Sequence, residues 1–173
     1  LVDLIVDHAG MKGTGTWTVQ TALSLAVPVT GIAEAVFARG LSSEADLREE
    51  AQKQGFAGPD GKLNLNDDEK KAFIEDIRQA LYASKIVAYA QGFNEITTAA
   101  KEYGWDIDLA AVARIWRGGC IIRAKFLNRI SEAFESGEAN VSLLFAPYFK
   151  NAIETAEKSW RNVVARAALN GLP

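Results

Sequence analysis

Cysteine, histidine and methionine each occur once in this chain of 173 residues. With Cys120 alone there is no internal disulfide and no thiolate cage for a metal, a usage that fits a reducing, cytoplasmic compartment. Adding His8 still leaves too few ligands for a transition-metal centre, so no metal is expected, and both residues are read as packing or surface positions. A surplus of positive charge is missing too. Nineteen Lys and Arg stand against 22 Asp and Glu, a net charge of −3, so neither nucleic acid nor an anionic membrane is expected as a partner. No apolar run approaches the roughly 18 to 20 residues of a membrane span, and Asp3 and Asp7 occupy the place of a basic-then-apolar leader. The alternation of a half-buried strand is absent as well, which makes the expected fold class all-α.

What is present is the composition of one globular domain, residues 1–173, at 49% hydrophobic and 24% charged and long enough to bury a core. Leu1 opens in mid-helix with no initiator Met, and Asn170-Gly171-Leu172-Pro173 closes on a helix stop, so the chain reads as a piece excised from a longer protein.

The apolar spacing predicts a multi-helix bundle. A first helix runs from Leu1 to His8, a second from about Thr18 to Ala26, and a third from Pro28 past Leu41 to about Gln52. Asn66 followed by Glu69 is a capping box, Asp67 and Asp68 add favourable charge to the first turn, and Gly104 is a stop, which together predict one very long central helix over 67–103. A helix of that length spans roughly 55 Å and suits the spine of a bundle or half of an intersubunit contact. Further helices are expected over 109–116, capped by Asp106 or Asp108, over 121–136, and over 146–170 with Pro147 in its first turn. Gly58-Pro59-Asp60-Gly61 is a turn, and the Asp60, Asn64, Asn66, Asp68 series lacks the Gly and Glu spacing of a calcium loop. Arg114, Arg117, Arg123 and Lys125 cluster around a turn, where helix-end pairing is the better reading than nucleic acid. Tyr82, Lys85 and Tyr89 share one helix face, with Lys85 read as a core lysine paired with an acid such as Glu34 rather than as a catalytic group.

The stretch with the most chemistry is Met11-Lys12-Gly13-Thr14-Gly15-Thr16-Trp17-Thr18. Its glycines allow positive φ and close backbone approach, and a helix start just beyond presents unpaired N–H groups to an anion. Neither the Walker nor the dinucleotide pattern fits, so the residues alone leave two readings open, an anion cradle or an ordinary capped loop. The spacing of the following hairpin is compatible with the cradle. The second helix travels about 13 Å from the loop and the third returns about 16 Å, which brings Arg39 back to the level of Lys12 and Thr14. A guanidinium, an ammonium and a hydroxyl there suit a dianionic phosphate; pairing of Arg39 with Glu44 or another surface acid is the plain alternative.

These words resemble a known family. Ile5-Val6-Asp7, Gly10, Lys12-Gly13-Thr14-Gly15 and Trp17 look like the signature of the decarboxylating 6-phosphogluconate dehydrogenases. The likeness continues through Pro28-Val29-Thr30, Glu34-Ala35-Val36-Phe37-Ala38-Arg39, Ser42-Ser43, Ala83-Ser84-Lys85-Ile86-Val87, Tyr89-Ala90-Gln91-Gly92-Phe93 and the run Arg114 to Ala124. Met11 and Thr16 depart from the usual pattern and leave the Lys-Gly-Thr-Gly core intact. The resemblance implies an all-helical substrate-binding and homodimerisation domain. It also implies an oxidoreductase of the pentose phosphate pathway and gluconate utilisation that uses NADP, held mainly by an N-terminal domain absent here. In the family, the positions of Lys12, Thr14 and Arg39 hold the phosphate of 6-phosphogluconate; no catalytic residue falls in this chain, which by itself is expected to be inactive. Two other readings stay open, a structural or dimerisation module with no ligand and the helical domain of a related hydroxyacid dehydrogenase.

Overall fold

A computed structural model describes residues 4–10, 13–59 and 63–172. Seven α-helices and a 3-10 turn make up its regular structure: α1 (Thr14–Ser24), α2 (Thr30–Ser43), α3 (Ala45–Lys53), α4 (Asp67–Tyr103), α5 (Leu109–Ile115), α6 (Leu127–Glu135), the turn Leu143–Phe145, and α7 (Pro147–Leu169). Among the described residues there is no strand, as the all-α expectation required.

α4 organises the bundle, and its ends are where local chemistry puts them. The Asn66 carboxamide oxygen accepts from the backbone N–H of Asp68 and Glu69 at 3.1 and 2.9 Å. The Glu69 carboxylate accepts from Asn66 N–H at 2.9 Å, which completes the capping box. At the far end Gly104 sits at φ 67°, a left-handed stop open to glycine at little cost. α7 packs along α4, and α5 packs on α6. Between them lies the core, in which Ile86, Phe93, Leu127, Ile130 and Phe149 are fully buried. Aromatic edges tie the layers together, with Phe126 meeting Tyr82, Tyr89 and Phe149 at centroid distances of 5.8, 5.1 and 6.2 Å.

α1 and α2 form the expected antiparallel hairpin beside this core, around a small cluster of Ala22, Val27 and Val29. The base of α2 is clamped to α4 by one side chain. Gln91 accepts from Gly31 N–H and donates to the Thr30 hydroxyl, both at 3.1 Å.

Several element limits differ from the sequence expectation. The expected first helix is not formed over Leu4–Gly10; residues 1–3 lie outside the described part. There the Asp7 carbonyl and the Ala9 N–H bond to side chains of α2 and α3 instead of to one another's helical partners. α1 starts at Thr14, not Thr18, because Gly13 at φ 86° ends the loop and Trp17 N–H already reaches Gly13 O. α1 closes in a Schellman arrangement, with Val27 N–H on Ala22 O and Ala26 N–H on Leu23 O, which forces Ala26 to φ 54°. α2 begins at Thr30, two residues after Pro28 instead of on it, with Val29 as its N-cap at φ −116° and ψ 46°. The third expected helix is two. It breaks at Glu44, where Arg48 folds back to donate to Leu41 O and Ser42 O at 3.1 and 2.8 Å. α6 starts at Leu127, not 121, after a turn held by Gly119 at φ 70°. The 3-10 turn Leu143–Phe145, capped by Ser142, has no counterpart in the periodicity.

A candidate anion site where α1 begins

At Gly15 the start of α1 and α2 come into close contact. A Cβ on Gly15 would stand 3.0 Å from Val36 Cγ2, so the two helices approach here as closely as a missing side chain allows. Arg39 lies one turn beyond Val36, exposed, and its Nε donates to Gly10 O at 2.8 Å. That bond orients the guanidinium, and among the described residues its two terminal nitrogens make no hydrogen bond. Among the described residues no carboxylate pairs with Arg39, so the plain alternative of a partner at Glu44 is not what the structure holds. Thr14 is exposed at the first position of α1, and no side chain caps that helix. The N–H groups of its first turn therefore point outward without a side-chain acceptor, as an anion requires. Lys12, the third expected site residue, lies outside the described residues.

The remaining candidates resolve differently. Lys85 is exposed with its Nζ 5.8 Å from the centroid of Phe126, so it rests on an aromatic face and is not the core lysine paired with Glu34 that the sequence suggested. The reason is geometric. Tyr82 and Tyr89, on the same face of α4, meet Phe126, and the ring they gather is what Lys85 lies over. The Tyr82 hydroxyl shares a 2.8 Å hydrogen bond with Tyr148, and its pKa is pushed up to about 12, by burial first and by that partner second. Burial, with Cys120 nearby, raises Tyr89 as well. Neither is tuned toward acid–base work near neutral pH. The arginines at the end of α5 and just beyond it pair at helix ends as expected: Arg114 bonds Glu135, Asp108 and Ser131, and Arg117 reaches Asn128 at 2.8 Å.

Among the described residues no three potential metal ligands converge. A cavity of about 100 Å³ between α4 and the 139–143 segment, lined by Phe93, Asn94, Thr97, Phe134 and Asn140 among others, has no charged side chain in its wall. It offers nothing to grip a phosphate.

Comparison with known proteins decides the family. A family model described as 6-phosphogluconate dehydrogenase, C-terminal domain, matches residues 1–173. The chain belongs to this family. The decarboxylating 6-phosphogluconate dehydrogenase of Schizosaccharomyces pombe is 51% identical over 173 residues, covering 100% of this chain and 34% of the relative. The human enzyme of the same description is 49% identical over the same length, and 35% of it is covered. A solved structure of the Plasmodium falciparum 6-phosphogluconate dehydrogenase, studied apo, with its cofactor NADP+ and with its substrate 6-phosphogluconate, superposes with a TM-score of 0.90 at 36% identity. It covers 100% of this chain and 37% of that one. The chain therefore spans about a third of the length of the relatives it matches.

Two residues of this region carry more of the site's geometry than the sequence suggested. Ser42 and Arg48 bind the segment that leads into the glycine loop. Ser42 belongs to one of the family-like words, whereas Arg48 had no signal beyond a charge on an exposed helix.

Proposed function

We propose that this chain is the phosphate-binding and dimerisation domain of a decarboxylating 6-phosphogluconate dehydrogenase. The observation that carries the reading is the 2.8 Å bond from Arg39 to Gly10, which holds a guanidinium, with no carboxylate partner among the described residues, on the segment that leads into the glycine-rich stretch. Arg39 grips the substrate phosphate through its terminal nitrogens, Lys12 adds a point charge, and Thr14 contributes its hydroxyl and the helix N-terminus. This is binding energy remote from the reacting carbon. It positions the sugar acid for oxidation and loss of carbon dioxide, which yields ribulose 5-phosphate in the whole enzyme.

The described residues build no strand-turn-helix cradle for a dinucleotide, so NADP, which accepts hydride in such enzymes, belongs to a part of the longer protein outside this chain. The catalytic acid and base belong there too, and the domain alone is expected to be inactive. Homodimerisation is supported by a large apolar stripe on α4, where Ile74, Ile77 and Leu81 are 58, 42 and 61% exposed at helical spacing. No described helix is long and apolar enough to cross a membrane, and the single cysteine fits a cytoplasmic enzyme.

The test is Arg39→Lys in the full-length protein. Losing the bidentate fork should weaken 6-phosphogluconate binding by about 1.5 to 3 kcal/mol, read as a higher KM. An unchanged KM would leave the site without support and favour a ligand-free dimerisation module.

A further inference from the structure

The Leu4–Gly10 segment that leads toward the glycine-rich stretch is not an α-helix and has no core of its own: Leu4, Ile5 and Val6 are 86, 63 and 79% exposed. What holds it is a polar clasp from the far end of the hairpin. Ser42 Oγ accepts from Ala9 N–H at 3.1 Å and donates to Asp7 O at 3.2 Å, so one hydroxyl grips the backbone on both sides of His8. Arg48 Nη2 donates to Asp7 O at 3.0 Å and lies 3.4 Å from the Asp7 carboxylate. The other terminal nitrogen of Arg48 closes the end of α2 through Leu41 O and Ser42 O. A single guanidinium thereby joins the leading segment, the last turn of α2 and, through the break at Glu44, the start of α3.

We infer that Ser42 and Arg48 are positioning residues that set the register between the Asp7–Gly10 segment and Arg39, and so fix where the guanidinium stands at the phosphate site. This rests on the sugar-phosphate reading above and adds its support. Among the described residues Arg39 bonds the leading segment at one atom, Gly10 O, and one hydrogen bond leaves that segment free to pivot. The Ser42 and Arg48 bonds, one to three residues upstream, remove that freedom. The planar fork of arginine is what permits it: it reaches α2 with one nitrogen and Asp7 with the other, a division that an ammonium cannot reproduce in fixed geometry.

The experiment compares Ser42→Ala, Arg48→Met, Arg48→Lys and Arg39→Lys in the full-length enzyme. The kinetic reading is selectivity, the kcat/KM for 6-phosphogluconate divided by that for gluconate, which lacks the phosphate. The structural reading is amide hydrogen exchange over residues 4–16 without ligand. Ser42→Ala and Arg48→Met should each lower the selectivity roughly three- to tenfold, as expected for one lost hydrogen-bonded contact. Both should also speed exchange at Ala9. Arg48→Lys should fall between wild type and Arg48→Met. Selectivity unchanged in the Ser42 and Arg48 variants, while Arg39→Lys lowers it, overturns the clasp and leaves the phosphate site standing. Selectivity unchanged in Arg39→Lys removes the phosphate site and the clasp's purpose with it, whatever the exchange shows. A general loss of packing would lower kcat/KM for both substrates alike and leave the ratio unmoved, which also overturns the inference.

Discussion

The bundle formed by α4 to α7 and the arm formed by α1 to α3 are held together by different physics. In the bundle, five large side chains are sealed from water and aromatic rings interlock around Phe126. In the arm, no residue of α2 or α3 is fully buried, and among the described residues the apolar cluster is a small one of Ala22, Val27 and Val29. What fixes the arm is directional: Gln91 on the base of α2, Ser42 and Arg48 on the leading segment, Arg39 on Gly10. Apolar burial tolerates small shifts, whereas a hydrogen bond does not. A ligand site assembled from a loop and two helix ends needs the second kind of restraint, and the arm is where the candidate site lies.

That contrast can be broken by mutation. The largest expected effect is in the bundle. Phe149→Ala removes a fully buried ring from the centre of the core and should destabilise the domain by about 3 to 5 kcal/mol, seen as a shift of the denaturant midpoint. Arg39→Lys should do the opposite, with its larger effect on KM for 6-phosphogluconate and little on the midpoint. Were Arg39→Lys to unfold the arm, the division between packing and site would fail. Asn66→Ala breaks the capping box of α4 and should cost about 1 kcal/mol, read by the same denaturant titration with substrate binding unaffected. Smallest is Ala26→Gly. It relieves the left-handed backbone at φ 54° on an exposed position and should stabilise the hairpin by about 0.5 to 1 kcal/mol, measured as a rise in Tm.

Legibility followed the same divide. The bounds of α4 were readable because everything that sets them, Asn66, Glu69 and Gly104, lies within a few residues of the ends. Arg39 could be placed near the loop because helix rise is constant, so residue counting measures distance. Lys85 was misread because Phe126, 41 positions away in numbering, supplies its partner, and no local pattern announces a ring from another element. The break at Glu44 was missed for a similar reason: Arg48 caps α2 only once the chain has turned, and the apolar spacing runs on without interruption.

The sequence by itself determined the all-α class, the long helix with its caps, the hairpin and the family, because these depend on periodicity, on capping and on words of adjacent residues. Only the tertiary structure decided that Leu4 to Gly10 is not a helix and that Ser42 and Arg48 bind it, since the partners stand 33 to 41 residues apart. Bonds across such separations form after the chain has paid the entropy of closing the loop between them. They exist because of where the hairpin puts its end, and nothing in the composition of either partner announces them.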